Sequence, residues 1–107
     1  MVSSETNGGS MKFKIPQQFQ IGPHHIKVKH VDVCTGCDSN TVGLARYAQN
    51  TIELKTGKVD RDYKEFVFFH EVMHHVLTHI GYTKLSTDEA FCDRIAGAIL
   101  QVIKTME

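Results

Sequence analysis

The sequence predicts an α+β fold: a small antiparallel sheet of three to four strands packed with a long helix and a C-terminal helix. Three features point there. Apolar and polar residues alternate in two pairs of runs, 18–21 with 25–29 and 42–47 with 51–55, each pair broken by a turn. That is the pattern of half-buried strands joined as hairpins. Beyond residue 60 the apolar spacing changes to three and four, the helical period. A chain of 107 residues is large enough for one modest core but not for two.

Residues 1–10 are polar, rich in Gly and Ser and aperiodic. Such a stretch buries too little to offset its ordering entropy, so it reads as a flexible tail, with residues 11–107 as the single domain. Gln18-Phe19-Gln20-Ile21 and His25-Ile26-Lys27-Val28-Lys29 form the first hairpin around Gly22-Pro23. The phase shifts at Val31 and Val33, so a bulge or the strand end is expected near His30. Cys34-Thr35-Gly36-Cys37 then opens a turn-rich stretch. A structural zinc site needs a second ligand pair, and a thioredoxin-like site needs a helix after the motif. Neither is present, so the two thiols are expected in an exposed loop, with a redox pair or an accessory metal site as the lesser readings. The second hairpin turns at Ala48-Gln49-Asn50. In its return strand Ile52 and Leu54 face one way, Glu53 and Lys55 the other.

Asp60 is the expected N-cap of the first helix, with Asp62 and Glu65 favourably placed near its positive end. Gly81 is its expected left-handed stop after Ile80. Ser86-x-x-Glu89 has capping-box spacing, which makes Ser86 the expected N-cap of the second helix. Phe91, Ile95, Ile99 and Val102 recur along that helix and Ile103 broadens the face, while the small Ala96, Gly97 and Ala98 admit a close neighbour.

Composition excludes several classes of function. Twelve basic and twelve acidic residues cancel, which argues against nucleic acid or an anionic membrane as partner; only the Lys12/Lys14 and Lys27/Lys29 alternations lean the other way. Apolar runs fall far short of the roughly 20 residues of a membrane span, and no signal-peptide pattern opens the chain. Three cysteines, an odd number, suggest a reducing compartment, hence a cytoplasmic protein.

The chemistry is concentrated in the first helix, where His70-Glu71-Val72-Met73-His74 reads H-E-x-x-H inside the apolar run 66–77. Residues four apart share a helix face, so two imidazoles can hold one zinc ion. Glu71 stands about 100° further round, where it can reach a water at the metal as a general base without being a ligand. His75 and His79 form a second pair of the same spacing, but no Glu follows the first of them, and they read as polar residues on the exposed side. His24, His25 and His30 read as surface residues of the hairpin.

Catalytic zinc takes three protein ligands and keeps one position open. No histidine follows His79, so a third ligand lying downstream must come from Asp88, Glu89, Cys92 or Asp93. Glu89 and Asp93 share one face near the start of the second helix. Glu89 has the longer reach and is the expected ligand, whereas Asp93 is suited to accept a ring N–H from a ligand histidine and so fix its tautomer. Cys92 is expected to be a small packing side chain. An oxyanion needs a further donor, and Tyr47, Tyr82 and Arg94 are the candidates.

This order of a short hairpin, an Ile52-x-Leu54 strand, His70-Glu71-x-x-His74 and a Glu89-led second helix resembles the small phage and bacterial zincins of the ImmA/IrrE metallopeptidase type, over residues 15–104. Only H-E-x-x-H is specific, and the second helix reads Glu89-Ala90-Phe91-Cys92-Asp93 where the family usually has Asn-x-Phe-Ala. The resemblance implies a gluzincin-like site with His70, His74 and Glu89 as zinc ligands and Glu71 as the base. It implies a zinc metalloendopeptidase acting on a protein or peptide substrate in the cytoplasm, such as a phage or host regulator. The competing expectation is a catalytically silent, metal-stabilised protein-binding module.

Overall fold

A computed structural model describes residues 13–106; the expected tail, residues 1–10, lies outside them. Four strands come first: β1 (Gln18–Ile21), β2 (His24–Val31), β3 (Gly43–Arg46) and β4 (Thr51–Lys55). Three helices follow, namely α1 (Arg61–His79), the single turn α2 (Thr83–Ser86) and α3 (Glu89–Thr105). The α+β expectation therefore holds, with a four-stranded sheet.

Both hairpins form as their residues dictate. Gly22 at φ +55° followed by Pro23 suits a two-residue turn with its first position left-handed and its second fixed near −65°. β1 pairs antiparallel with β2, and β3 with β4. The expectation of a purely antiparallel sheet is corrected at the join. The spatial order is β1-β2-β4-β3, and β2 runs parallel to β4 with Lys27 opposite Thr51 and Val31 opposite Lys55. The chain leaves β2, passes beyond its neighbouring position to lay down β3, and returns β4 into the gap. That register is unbroken past His30, so the strand end, not a bulge, accounts for the change of phase there.

Central placement buries β4 on both faces. Ile52 and Leu54 are fully buried with Ile26, and pack against Val67, Phe68 and Phe69 of α1 and Ala96 and Leu100 of α3. Glu53, on the opposite face from Ile52 and Leu54 as expected, is also only 3% exposed. The loop after β2 covers it, with Thr35 N–H donating to Oε1 at 2.7 Å, Thr35 Oγ1 to Oε2 at 2.8 Å, and Arg46 Nη1 lying 3.2 Å from Oε2. Burial pushes this carboxyl up, but the Thr35 donors and Arg46 outweigh it and hold its pKa below the ordinary value. The same loop corrects the view of the C-x-x-C. Cys34 is buried, Cys37 is half-buried, and both are free thiols.

α1 begins as expected, with the Asp60 carboxylate accepting from Tyr63 N–H. It ends as expected too. Gly81 sits at φ +98°, its N–H donates to Thr78 O at 3.2 Å, and the Tyr82 N–H donates to Leu77 O at 2.8 Å. These are the paired bonds of a Schellman motif, which satisfies carbonyls the helix leaves unpaired.

The start of α3 differs from expectation. Asp88, not Ser86, is the N-cap and accepts from Phe91 N–H; Ser86 ends α2 and is buried. The buried line of α3 is Cys92, Ala96 and Leu100. Ile95, Ile99 and Ile103 flank it half-buried and Val102 is 54% exposed, so the expected face is centred one residue off. Among the described residues no helix is long and apolar enough to cross a membrane.

Candidate metal centre

α1 presents His70 and His74 on one face, and α3 begins directly over that face. An antiparallel pair with a tight connection would have placed the start of α3 beside the end of α1. The eight residues 81–88, including α2, take up the reversal and return Glu89 to the middle of α1. Three donor atoms then converge. His70 Nε2 lies 2.8 Å from Glu89 Oε1 and 2.9 Å from His74 Nε2, and His74 Nε2 lies 3.3 Å from Glu89 Oε1. Among the described residues this is the one group of three whose ligand atoms stand close enough to hold a metal ion. His24, His25, His30, Cys34 and Cys37 are not part of it.

The outer nitrogens decide which atoms face inward. His74 Nδ1 donates to the carbonyl of Ser86, so the neutral ring carries its lone pair on Nε2. His70 Nδ1 is buried, and its neighbour is Asp93 Oδ1 at 2.5 Å, off the line of a well-formed hydrogen bond. A carboxylate there favours the proton on Nδ1 and again leaves Nε2 bare. With both Nδ1 atoms turned outward, two imidazole Nε2 atoms and a carboxylate oxygen face one another, a set of donors that a cation can bridge. Zinc bonds of about 2.0–2.2 Å in a tetrahedron need donor separations of about 3.3–3.6 Å. The observed edges of 2.8, 2.9 and 3.3 Å meet that after an opening of up to about 0.8 Å, and the N₂O donor set is one zinc accepts. The residues fit the group.

Cys92 is buried behind this arrangement, its Sγ 3.7 Å from His74 Nδ1 and 3.7 Å from Leu85 O. It lies on the outer side of the imidazole. Burial, aided by the charges of Glu89 and Asp88, raises its thiol to about 11, so it stays protonated and serves as packing.

Glu71 stands beside the cluster at 8% exposure. It packs over β3, where a Cβ on Gly43 would lie 3.2 Å from Glu71 Oε2 and only 2.4 Å from Val67 Cγ1. Burial raises its carboxyl to about 7, with Glu89 and Asp93 pushing the same way, while His74 and the Ala45 backbone N–H oppose. A general base works best with a pKa near the working pH. A dication nearby draws the value down again.

A cleft of about 190 Å³ opens at Glu71, lined by Val42, Gly43, Tyr63, Phe66, Val67, His70 and Asp93. None of the three side chains considered for an oxyanion, Tyr47, Tyr82 and Arg94, lines it. Tyr47 packs edge-on against His75 and lies 3.3 Å from Ser86 Oγ. Tyr63 does line the cleft, and sequence reasoning passed it over. It lies seven residues before His70, two helical turns along the same face, and that spacing was the available signal. His75 is the larger correction. Expected on the exposed side, it is fully buried, with Nε2 donating to Thr51 O at 2.8 Å.

Comparison with protein-family models, with curated proteins and with solved structures returns no match.

Proposed function

We propose that this protein is a zinc-dependent metallopeptidase, with His70, His74 and Glu89 as the metal ligands and Glu71 as the base. The observation that carries the reading is the convergence of those three donor atoms beside a buried carboxylate whose pKa is raised to about 7. The resemblance to the ImmA/IrrE-type zincins supports it and points to a protein or peptide substrate in the bacterial or phage-infected cytoplasm, a regulatory protein among the candidates.

Held by His70, His74 and Glu89, zinc would supply Lewis acidity toward a scissile carbonyl and a water. The remaining work falls to the chain. Glu71 receives the water's proton on its carboxylate and delivers it to the departing amine nitrogen. Asp93 orients His70 as the Ser86 carbonyl orients His74. β3 is an edge strand of the sheet, and Val42 and Gly43 border the cleft. An extended peptide can therefore pair along the part of that edge next to the cleft, beside the Ala45 N–H that Glu71 takes up, and bring its scissile bond to Glu71, with Phe66 and Val67 as the apolar lining.

The second reading, a metal-stabilised binding module without catalysis, is favoured by the size of the cleft. At about 190 Å³ it is smaller than the roughly 300–1,000 Å³ of ordinary ligand pockets. Glu71→Gln separates the two. The variant is expected to keep one zinc and its fold while losing peptide hydrolysis. If zinc-loaded wild type cleaves nothing in a broad peptide library, and the biological effect survives Glu71→Gln, the binding module is the better account.

A further inference from the structure

About 100° round α1 from the H-E-x-x-H face, a second imidazole cluster joins the end of the helix to the sheet. His75 Nε2 donates to Thr51 O at 2.8 Å, which makes Nδ1 an acceptor. That Nδ1 faces His79 Nε2 at 3.3 Å. His24, at the start of β2, lays its ring flat on His79, with centroids 4.0 Å apart and planes inclined by 24°. We propose that His75 Nδ1 and His79 Nε2 form a second transition-metal site, completed by His24, that takes a borderline cation such as zinc or nickel.

Three observations support this assignment. A backbone carbonyl locks the His75 tautomer with one lone pair turned toward His79, the arrangement that orients imidazoles in metal sites. The separation of 3.3 Å matches the roughly 3.3 Å edge that two bonds of about 2.0–2.1 Å require in a tetrahedron. The donors are all imidazole, a set that selects zinc, nickel or copper over magnesium or calcium. His24 is not yet in place, because His70, His74 and Glu89 are the one ready three-ligand group among the described residues. The His24 ring is stacked on His79, so it would have to turn out of that stack to offer a ring nitrogen to the ion. The ion would then tie the last turn of α1 to the first residue of β2, across the hairpin end of the sheet. No carboxylate stands beside His75 as Glu71 stands beside His70, so the site is structural and does not depend on the peptidase reading.

The test is a zinc titration of the full chain after chelator stripping, read against a chromophoric competitor and repeated with nickel. Wild type is expected to bind two equivalents of zinc, the second more weakly. His79→Ala should remove the second equivalent and leave the first, His74→Ala should do the reverse, and His24→Ala should weaken the second alone. His79→Gln, which keeps the volume of the half-buried ring, provides the same reading if the alanine variant does not fold. A single equivalent in wild type, or a second equivalent that survives His79→Ala or His79→Gln, overturns the site. Unchanged second-site affinity in His24→Ala overturns the part assigned to His24.

Discussion

His74 and Ser86 hold each other through two hydrogen bonds: the imidazole Nδ1 donates to the Ser86 carbonyl, and the Ser86 hydroxyl donates to the His74 carbonyl at 2.9 Å. Thr78 Oγ1, 2.6 Å from the same hydroxyl, extends the contact along α1. A residue of the connection is thereby fixed to the backbone of the helix that carries the metal face, and the start of α3 follows from it.

Ser86→Ala removes the hydroxyl bonds and keeps the carbonyl. Leaving the Thr78 hydroxyl unpartnered in a largely buried place is expected to cost about 1–3 kcal/mol of stability. Because the carbonyl still orients His74, zinc affinity should fall less than the roughly 10–100-fold typical when such an orienting partner is lost. Urea unfolding and competitive zinc titration read the two effects separately.

Glu89 and Asp93 touch the same histidine from different sides. Glu89→Ala removes a donor atom and should nearly empty the H-E-x-x-H site. Asp93→Ala removes only the group that orients His70 and should weaken zinc by about 10–100-fold. The reverse ranking in a zinc competition assay would exchange their roles, and unchanged binding in both would remove α3 from the site.

Gly43 is required small because α1 lies against it. Gly43→Ala drives a methyl to 2.4 Å from Val67 Cγ1 and 3.2 Å from Glu71 Cγ, an overpacking expected to cost about 1–3 kcal/mol and to displace the base. Val67→Ala should relieve the clash. In a double-mutant cycle the pair is expected to couple favourably by about 0.5–3 kcal/mol, with hydrolysis partly restored. Strict additivity would mean that β3 shifts away freely.

His75 should make stability fall in mild acid. Burial foremost, with the charges of His79 and His74, holds its pKa below the ordinary 6.5, despite the opposing bond to Thr51. Between the folded pKa and 6.5 the unfolded chain binds the extra proton, so stability rises with pH there. The contribution is complete above about pH 6.5 and is lost as pH falls through the folded value. Unfolding midpoints measured from pH 8 to 5 in chelator should drop more steeply for wild type than for His75→Gln; parallel curves would place the sensitivity elsewhere.

The parts legible in the sequence are those settled within a few residues of one another. Gly22-Pro23 specifies its turn, Asp60 and Gly81 bound α1 by capping it, and the four-residue spacing of His70 and His74 sets them on one face whatever surrounds the helix. The α+β class and the nomination of Glu89 follow from such local signs. What escaped depended on partners distant in the chain. Whether β4 pairs at the edge or between β2 and β3 is decided by its parallel pairing with β2, a contact between separate hairpins that no alternation of residues records. Glu53 and His75 look like surface residues because each is polar. They are buried because Thr35 lies 18 residues before one and the Thr51 carbonyl 24 residues before the other, and a polar group can leave water only where such a partner is waiting. Ser86 and Asp88 are both good N-caps by type. Packing against His74 and Thr78 draws Ser86 inward, so the cap passes to Asp88 and Glu89 becomes the first residue of α3, free to turn toward the histidines. The sequence by itself determined the helix face on which a metal can bind, and only the tertiary structure decided what closes over it, because closure depends on long-range contacts that form together.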